Sequence, residues 1–207
     1  MKYLNIQSIC SGMKKFGLIF LIWGFNFAVN SQTIEKLKDP RDGKVYSTVK
    51  IGSQVWMAQN LAFEPKDSKF WTFDVENNQN IGGCGYYYTW ETARNVCPPG
   101  WKLPSRSDWE VLKSFLGNNT GEALKSISEW SSNSSGNDNY GFNGLPCGCR
   151  YASGKRGHVG KYAYWWADQE NGNNYAWYFY LQHDYNNLLG DNFGGKTEGF
   201  SVRCIKR

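Results

Sequence analysis

The chain has 207 residues and a formal net charge of +5, and aromatic residues make up 17% of it. This length suits one domain or two small ones, and so many rings can fill a sizeable core, which excludes a disordered chain. Three of the positive charges, Lys2, Lys14 and Lys15, lie in the region 1–31, which contains no acid. The rest of the chain carries little excess charge and no stripe of Lys and Arg, so we expect no nucleic-acid partner.

The N-terminal region has the features of a secretory signal. An apolar run at 16–28 follows a pair of lysines and precedes the small residues of VNS (29–31). We therefore predict a signal peptide over 1–31, with Met13 as the true start. The run is shorter than the roughly 20 residues of a spanning helix, so no membrane span is expected after cleavage. Cys10 precedes the run, so we find no lipoprotein cysteine and expect an extracellular, cell-surface or periplasmic protein.

The next segment predicts a β-hairpin. A polar lead-in (32–38) and the turn signal DPRDG (39–43) come first. Two stretches with strand-like patterns, KVYSTVKIG (44–52) and QVWMAQNL (54–61), then meet at a turn whose first residue is Gly52. Short strands joined by a Gly-first turn are typical of a hairpin.

Two short helices follow. Thr89 can cap a helix that runs towards Cys97, and two prolines at 98 and 99 stop it. The second helix begins at a capping box formed by Ser105 and Asp108 and ends at Gly117. The region 117–150 is loop-rich, with one helical turn predicted at 122–127.

The last third predicts antiparallel strands. YAYWWA (162–167) and NYAWYFYLQ (174–182) flank a polar turn, and GFSVRCIKR (199–207) is a closing strand that carries Cys204. The order of hairpin, helices, loops and strands indicates an α+β domain rather than an alternating βαβ fold.

The cysteines predict a disulfide framework. Removal of residues 1–31 leaves five of the six cysteines, namely Cys84, Cys97, Cys147, Cys149 and Cys204. An odd number leaves one thiol free or linked to a second chain. A metal site is the alternative, but the CGC motif at 147–149 lacks the C-x-x-C spacing of zinc and redox sites.

Four segments together resemble a known family. They are TVKIGSQVWMAQNL (48–61), YTWETARNVCPPGWKLPSRSDWEVL (88–112), GFNGLPCGCR (141–150) and GFSVRC (199–204). Their order and spacing are similar to the Fibrobacter succinogenes major paralogous domain, and the likeness runs over 39–207. The resemblance implies export and a C-type lectin-like fold, a class that also contains the formylglycine-generating enzymes.

The resemblance also implies a disulfide between Cys97 and Cys204. The chain departs from the family pattern at GLPCGCR (144–150), where the family has a glycine-rich turn without cysteines. We interpret this departure as an added bridge from Cys84 to Cys147 or Cys149.

The late strands hold the predicted ligand-binding residues Trp166, Tyr175 and Trp177. Aromatic faces stack on sugar rings and anchor protein interfaces. Neighbouring residues on a strand point to opposite faces, so one of Trp165 and Trp166 is expected in the core while the other is exposed. We place the exposed rings beside the 141–151 loop.

The sequence therefore predicts a non-enzymatic binding or adhesion domain for a glycan or a surface protein. We expect no catalytic residues, metal or cofactor, because no nucleotide, zinc-protease or P-loop motif occurs. Two alternatives stay open. One is an enzyme, either of the formylglycine-generating type or a carbohydrate hydrolase using a pair such as Asp168 and Glu170. The other is a structural part of a surface assembly, in which the odd cysteine links two chains.

Overall fold

The computed structural model describes residues 34–66, 68–73 and 81–207. The predicted signal peptide (1–31) lies outside these residues. The strands are β1 Ile34–Lys38, β2 Val45–Ile51, β3 Gln54–Met57, β4 Phe70–Thr72, β5 Tyr86–Tyr88, β6 Trp101–Lys102, β7 Cys149–Arg150, β8 Arg156–Gly157, β9 Tyr162–Asn171, β10 Tyr175–Gln182, β11 Tyr185–Gly195 and β12 Ile205–Lys206. The α-helices are α1 Trp90–Ala93, α2 Arg106–Leu116 and α3 Thr120–Leu124, and a 3₁₀ turn spans Ser131–Asn133.

The predicted hairpin is β2–β3, and it belongs to a five-stranded sheet in the order β1-β2-β3-β12-β6. Ile51 pairs with Gln54 across the turn, and Gly52 has a φ of 60° there, a left-handed conformation that suits glycine. Residues 34–38 are not a plain lead-in, because they form β1 and pair antiparallel with β2. Near the C-terminus, Ile205 lies between Trp56 and Lys102, so the chain end ties the hairpin to β6.

Helix α2 begins at the predicted capping box, whereas α1 follows Thr89 without a side-chain cap from it and ends at Ala93, before Cys97. Asp108 donates its backbone N–H to Ser105 Oγ over 3.0 Å, and its carboxylate accepts the Ser105 N–H over 2.8 Å. This reciprocal capping box starts α2, and Gly117 ends it with a φ of 67°. The turn expected at 122–127 is α3, which begins two residues earlier.

The C-terminal third forms a three-stranded antiparallel sheet in the order β11-β10-β9. Only β9 and β10 were predicted, because YNNLLGDNFGG (185–195) is rich in Asn and Gly, which strands usually disfavour. The segment 199–204, expected as strand, is held by single bridges of Phe200 to Tyr88 and Ser201 to Trp165. Mixed helices and antiparallel sheets make this an α+β fold.

A buried arginine joins the five-stranded sheet to the three-stranded sheet. Arg203 is fully buried, and its Nη2 donates to Asn60 Oδ1 over 2.8 Å. The same oxygen accepts from Trp165 Nε1 over 2.9 Å, while backbone carbonyls of Met57, Phe142 and Asn143 accept from the guanidinium. Burial lowers the pKa of Arg203 to about 9. These hydrogen bonds compensate the cost of burying the charge, so the arginine is a structural element.

Candidate functional site

The five cysteines that the structure describes form two bridges and leave one free thiol. Cys97 is bonded to Cys204 with Cα atoms 5.9 Å apart, and Cys84 is bonded to Cys147 with Cα atoms 5.6 Å apart. Such bridges are typical of proteins that fold in an oxidising compartment. The remaining thiol, Cys149, is only 3% exposed, and burial raises its pKa to about 12. A buried, protonated thiol is unreactive and out of reach of a second chain.

Trp166 does not belong to a ligand surface, so this prediction is wrong. Both Trp165 and Trp166 are completely buried. The rings do point to opposite faces of β9, but each face packs against its own core. Trp166 stacks on Phe200 at 4.2 Å between ring centroids, and Trp165 lies 5.9 Å from Trp109. The alternation rule was correct, and the assumption that one face of the strand meets solvent was not.

Tyr175 and Trp177 lie together on one face of β10, and Phe193 joins them from β11. Trp177 pairs directly with Phe193 in the strand register. Phe193 packs edge-on against both other rings, with centroids 5.4 Å from Tyr175 and 6.0 Å from Trp177. Tyr175 is 48% exposed and Phe193 is 50% exposed, while Trp177 is half-buried. We call Tyr175, Trp177 and Phe193 the aromatic tip.

Polar groups border the aromatic tip on the side of α2. The Arg106 guanidinium lies 3.9 Å from the Trp177 ring centroid, and the Arg106 backbone N–H donates to Gln169 Oε1 over 2.7 Å. The exposed turn at 172–174 directly precedes Tyr175. The tip therefore combines exposed ring surface with guanidinium and amide groups.

The 141–151 loop, expected beside these rings, is paired elsewhere. Gly148 bridges to Ala163 and Arg150 bridges to Gly199, while Phe142 packs on Trp165. Within the tip, Phe193 packs on Tyr175 and Trp177, and Trp177 also packs against the buried cluster that includes Trp109 and Phe179. Sequence reasoning also missed Phe193, because it did not recognise β11 as a strand.

The opposite face of the sheet carries tyrosines. Tyr162 and Tyr164 stack nearly parallel at 5.5 Å, and Tyr178 and Tyr180 lie beside them on β10. Tyr164 is 8% exposed and the others are half-buried. We call Tyr162, Tyr164, Tyr178 and Tyr180 the tyrosine face. The spacing of two between these tyrosines is the signal that could have revealed a common face.

Two polar residues from the nearby loop border the tyrosine face. His158 Nδ1 lies 2.8 Å from the Tyr164 hydroxyl, and His158 Nε2 lies 3.2 Å from the Tyr151 hydroxyl. Partial burial lowers the pKa of His158, so the imidazole is neutral at pH 7. A neutral imidazole can donate from one nitrogen and accept at the other, which fits its place between two hydroxyls.

The acids of the late strands form no evident catalytic pair. Glu170 is bound by Lys196 Nζ at 2.6 Å, whereas partial burial raises the pKa of Asp168. Within the described part of the chain, no three His, Cys, Asp or Glu side chains converge to hold a metal ion. No helix in the same residues is long and apolar enough to cross a bilayer.

Comparison with curated proteins and with solved structures gave no match. The family model described as the Fibrobacter succinogenes major domain matches residues 49–206. The match includes the end of β2, the turn and β3 of the hairpin, α1, α2 and the strands β9, β10 and β11. It also includes all four cysteines of the two bridges. The chain therefore belongs to the Fibrobacter succinogenes major domain family.

Proposed function

We propose that the protein is a binding module that takes a glycan on the aromatic tip. The observation that carries the proposal is the exposure of Tyr175 and Phe193, at 48% and 50%, beside a half-buried Trp177. Such rings would gain most from a partner that covers them, because exposed apolar surface is stabilised by removal from water.

A sugar suits this surface better than a purely apolar partner. The apolar faces of pyranose rings match aromatic rings, and their hydroxyls match bordering donors and acceptors. Arg106 and Gln169 border the rings on the side of α2, and the exposed turn at 172–174, which holds two Asn residues, directly precedes Tyr175. The tip lies on a strand pair rather than a long loop, so the rings are held in place before the ligand arrives.

We also propose that the fold is C-type lectin-like and that the protein acts outside the inner membrane, at the cell surface or beyond. The first proposal is supported by the bridge from Cys97 to Cys204, which ties the region after α1 to the chain end. The second is supported by two intramolecular disulfides.

The alternatives have less support. A formylglycine-type oxidase would need two available thiols, and Cys147 is bonded to Cys84. A linked assembly would need an exposed cysteine, and Cys149 is buried. The edge strand β1 (IEKLK) carries three charged residues, which is how natural sheets discourage edge-to-edge pairing.

A glycan array with the purified protein tests the proposal. We expect binding to at least one glycan, and Trp177→Ala and Tyr175→Ala should weaken that binding about tenfold or more, as loss of an aromatic anchor does. Tyr185→Ala is the matched control, because Tyr185 is 46% exposed on the same sheet but outside the tip. Equal losses in all three variants, or binding that survives both tip substitutions, would place the glycan elsewhere.

A further inference from the structure

A cleft of about 520 Å³ lies between the end of α2, the start of α3 and the strand β11. A volume in this range is typical of sites that hold small molecules. The residues of the lining that matter for its chemistry are Glu110, Lys113, Ser114, Asn118, Asn187 and Leu188. None of these residues belongs to the aromatic tip, so the cleft is a separate feature of the surface.

The floor of the cleft is held in place by contacts between α3 and β11. Thr120 Oγ1 accepts the backbone N–H of Leu188 over 2.6 Å, and both residues are buried. A Cβ added at Gly121 would lie 2.8 Å from the backbone nitrogen of Asn187, so a glycine here lets the helix approach the strand closely. The cleft is therefore formed before a ligand arrives. These contacts also occupy the edge of the sheet that an extended peptide would need.

The polar groups of the cleft suit a neutral ligand. Ser114 and Asn118 are exposed and Asn187 is half-buried, and none of the three side chains has a hydrogen-bond partner among the residues that the structure describes. Glu110 and Lys113 form an ion pair at 3.2 Å, so their charges compensate each other. One hydroxyl and two amides offer donors and acceptors without net charge. A ligand rich in hydroxyl groups matches this set.

The cleft and the aromatic tip lie along the same face of α2. Four residues spaced three or four apart share this face, namely Arg106, Glu110, Lys113 and Gly117. At one end the Arg106 guanidinium lies 3.9 Å from the Trp177 ring centroid, and at the other end the face borders the cleft. The helix rises roughly 16 Å over this length. On the facing strand, the stretch from Leu188 to Phe193 also spans roughly 16 Å.

We propose that the cleft is a second sugar subsite, and that a neutral oligosaccharide runs from the aromatic tip along α2 into it. The inference rests on the proposed function, because the tip would hold one ring of the chain while the cleft binds the hydroxyls of rings further along. A single sugar is shorter than the path and contacts one subsite at a time. Linked sugars contact both, so the second contact becomes intramolecular and affinity rises with chain length.

NMR titration of the ¹⁵N-labelled protein tests the path. The probes are glucose, maltohexaose and cellohexaose, which share one neutral sugar and differ in chain length and linkage. We expect at least one hexaose to shift the backbone amides of the tip (Tyr175 and Phe193) together with those of the cleft (Thr120 and Leu188). Glucose should bind about tenfold more weakly or worse, because it cannot join the two subsites.

The first pair of variants removes a single amide. Asn187→Ala should raise the Kd for the hexaose that binds by about 2-fold to 10-fold, the range of one lost hydrogen bond. Asn186→Ala is the matched control, because this exposed neighbour does not line the cleft, and it should leave the Kd unchanged.

The second pair fills the cleft. Ser114→Arg places a long side chain in it and should bring the Kd of the hexaose close to that of glucose. Val111→Arg makes a similar change at a position of α2 that is 48% exposed and outside the lining, so it should not weaken binding. Thermal unfolding of each variant checks that the fold is retained.

The outcomes separate this inference from the proposed function. Shifts confined to the tip, with an unchanged Kd in Asn187→Ala and Ser114→Arg, would overturn the second subsite and leave the tip as the glycan site. Shifts confined to the cleft would overturn the continuous path and count against the tip. Equal affinity for glucose and the hexaoses, or no shift with either hexaose, would also overturn the inference, and the glycan array would then decide on the tip separately.

Discussion

Aromatic residues in the middle of the three-stranded sheet and at its end differ in their exposure to solvent. In the middle, Trp165 and Phe179 are completely buried. At the end, Tyr175 and Phe193 are about half-exposed, although they lie on the same face. The strands run through both regions, with a register shift of β10 against β9 between Ala176 and Tyr178, and the two regions also differ in what packs above the sheet.

The helix α2 makes that difference. Trp109 of α2 stacks on Phe179 at 5.2 Å between centroids, which covers the middle of the sheet. The helix begins only three residues earlier, at Arg106, whose guanidinium covers Trp177. Two more strand residues span roughly 7 Å, so Tyr175 lies beyond the start of the helix. The exposure of the tip is therefore set by where the capping box starts α2.

The largest expected loss of stability comes from a substitution in the middle of the sheet. Trp166→Ala should destabilise the domain by about 3–5 kcal/mol, because it removes a completely buried ring and its stacking on Phe200. It also leaves the Tyr88 carbonyl without the indole N–H, which donates over 2.8 Å. Thermal or urea unfolding measures this loss. A stability within about 0.5 kcal/mol of the original would mean that the ring is not in the core.

Removal of the disulfide between Cys97 and Cys204 should have the next largest effect. Cys204→Ser should cost about 2–5 kcal/mol, because the bridge to Cys97 closes a loop with a sequence separation of 107. Cys149→Ala is the matched control, since it also replaces a buried cysteine but breaks no bridge. We expect its cost in urea unfolding to be smaller. An equal cost in both variants would assign the effect to packing rather than to the crosslink.

A pH-dependent prediction concerns the Asp138 carboxyl, whose pKa is affected by the buried Arg203. Burial raises the pKa of Asp138 to about 6 and outweighs the opposing effects of the Asn143 hydrogen bond and Arg203. A carboxyl whose pKa is raised by folding is favourable while protonated, and its contribution is lost as pH rises through the folded value. Asp138→Asn should therefore be more stable than the original by about 1–2 kcal/mol at pH 8, after allowance for solvent screening.

Below about pH 3 the two proteins should unfold at the same urea concentration, because the carboxyl is then largely protonated in both the folded and the unfolded state. The backbone favours this test, since Asp138 has a φ of 45°, which asparagine also tolerates. A stability difference that stays constant between pH 4 and pH 8 would contradict the raised pKa.

Local signals predicted the local elements of this fold. The Gly-first turn at Gly52 and the box of Ser105 and Asp108 each depend on a few neighbouring residues, so the sequence alone was enough for the hairpin and α2. The pairing of Cys97 with Cys204 came from the family resemblance. The choice between Cys147 and Cys149 depends on long-range packing that no local pattern encodes.

The candidate site was only partly predictable for the same reason. Tyr175 and Trp177 were recognised as aromatic strand residues, but the choice of Trp166 required knowledge of Phe200, which packs on it from a distant part of the chain. Phe193 was missed, since an Asn- and Gly-rich strand is a weak pattern. Its role became visible only when β10 and β11 were placed together.

The smallest expected effect tests whether the aromatic tip is a preformed surface. Tyr175 and Phe193 pack edge-on at 5.4 Å, and such a pair contributes about 0.5–1.5 kcal/mol where it is buried. Because both rings are half-exposed, we expect a coupling free energy near the lower end, about 0.5 kcal/mol, in a double-mutant cycle of Tyr175→Ala and Phe193→Ala. Each single variant should lower the free energy of unfolding by less than about 1 kcal/mol, far below the loss in Trp166→Ala. Urea unfolding of the four proteins measures the cycle.

A coupling indistinguishable from zero would mean that the rings move independently in solution, and a glycan would then have to order them on binding. A measurable coupling means that the rings are already arranged, so that most of the affinity lost in Tyr175→Ala would come from the missing ring rather than from a disordered tip.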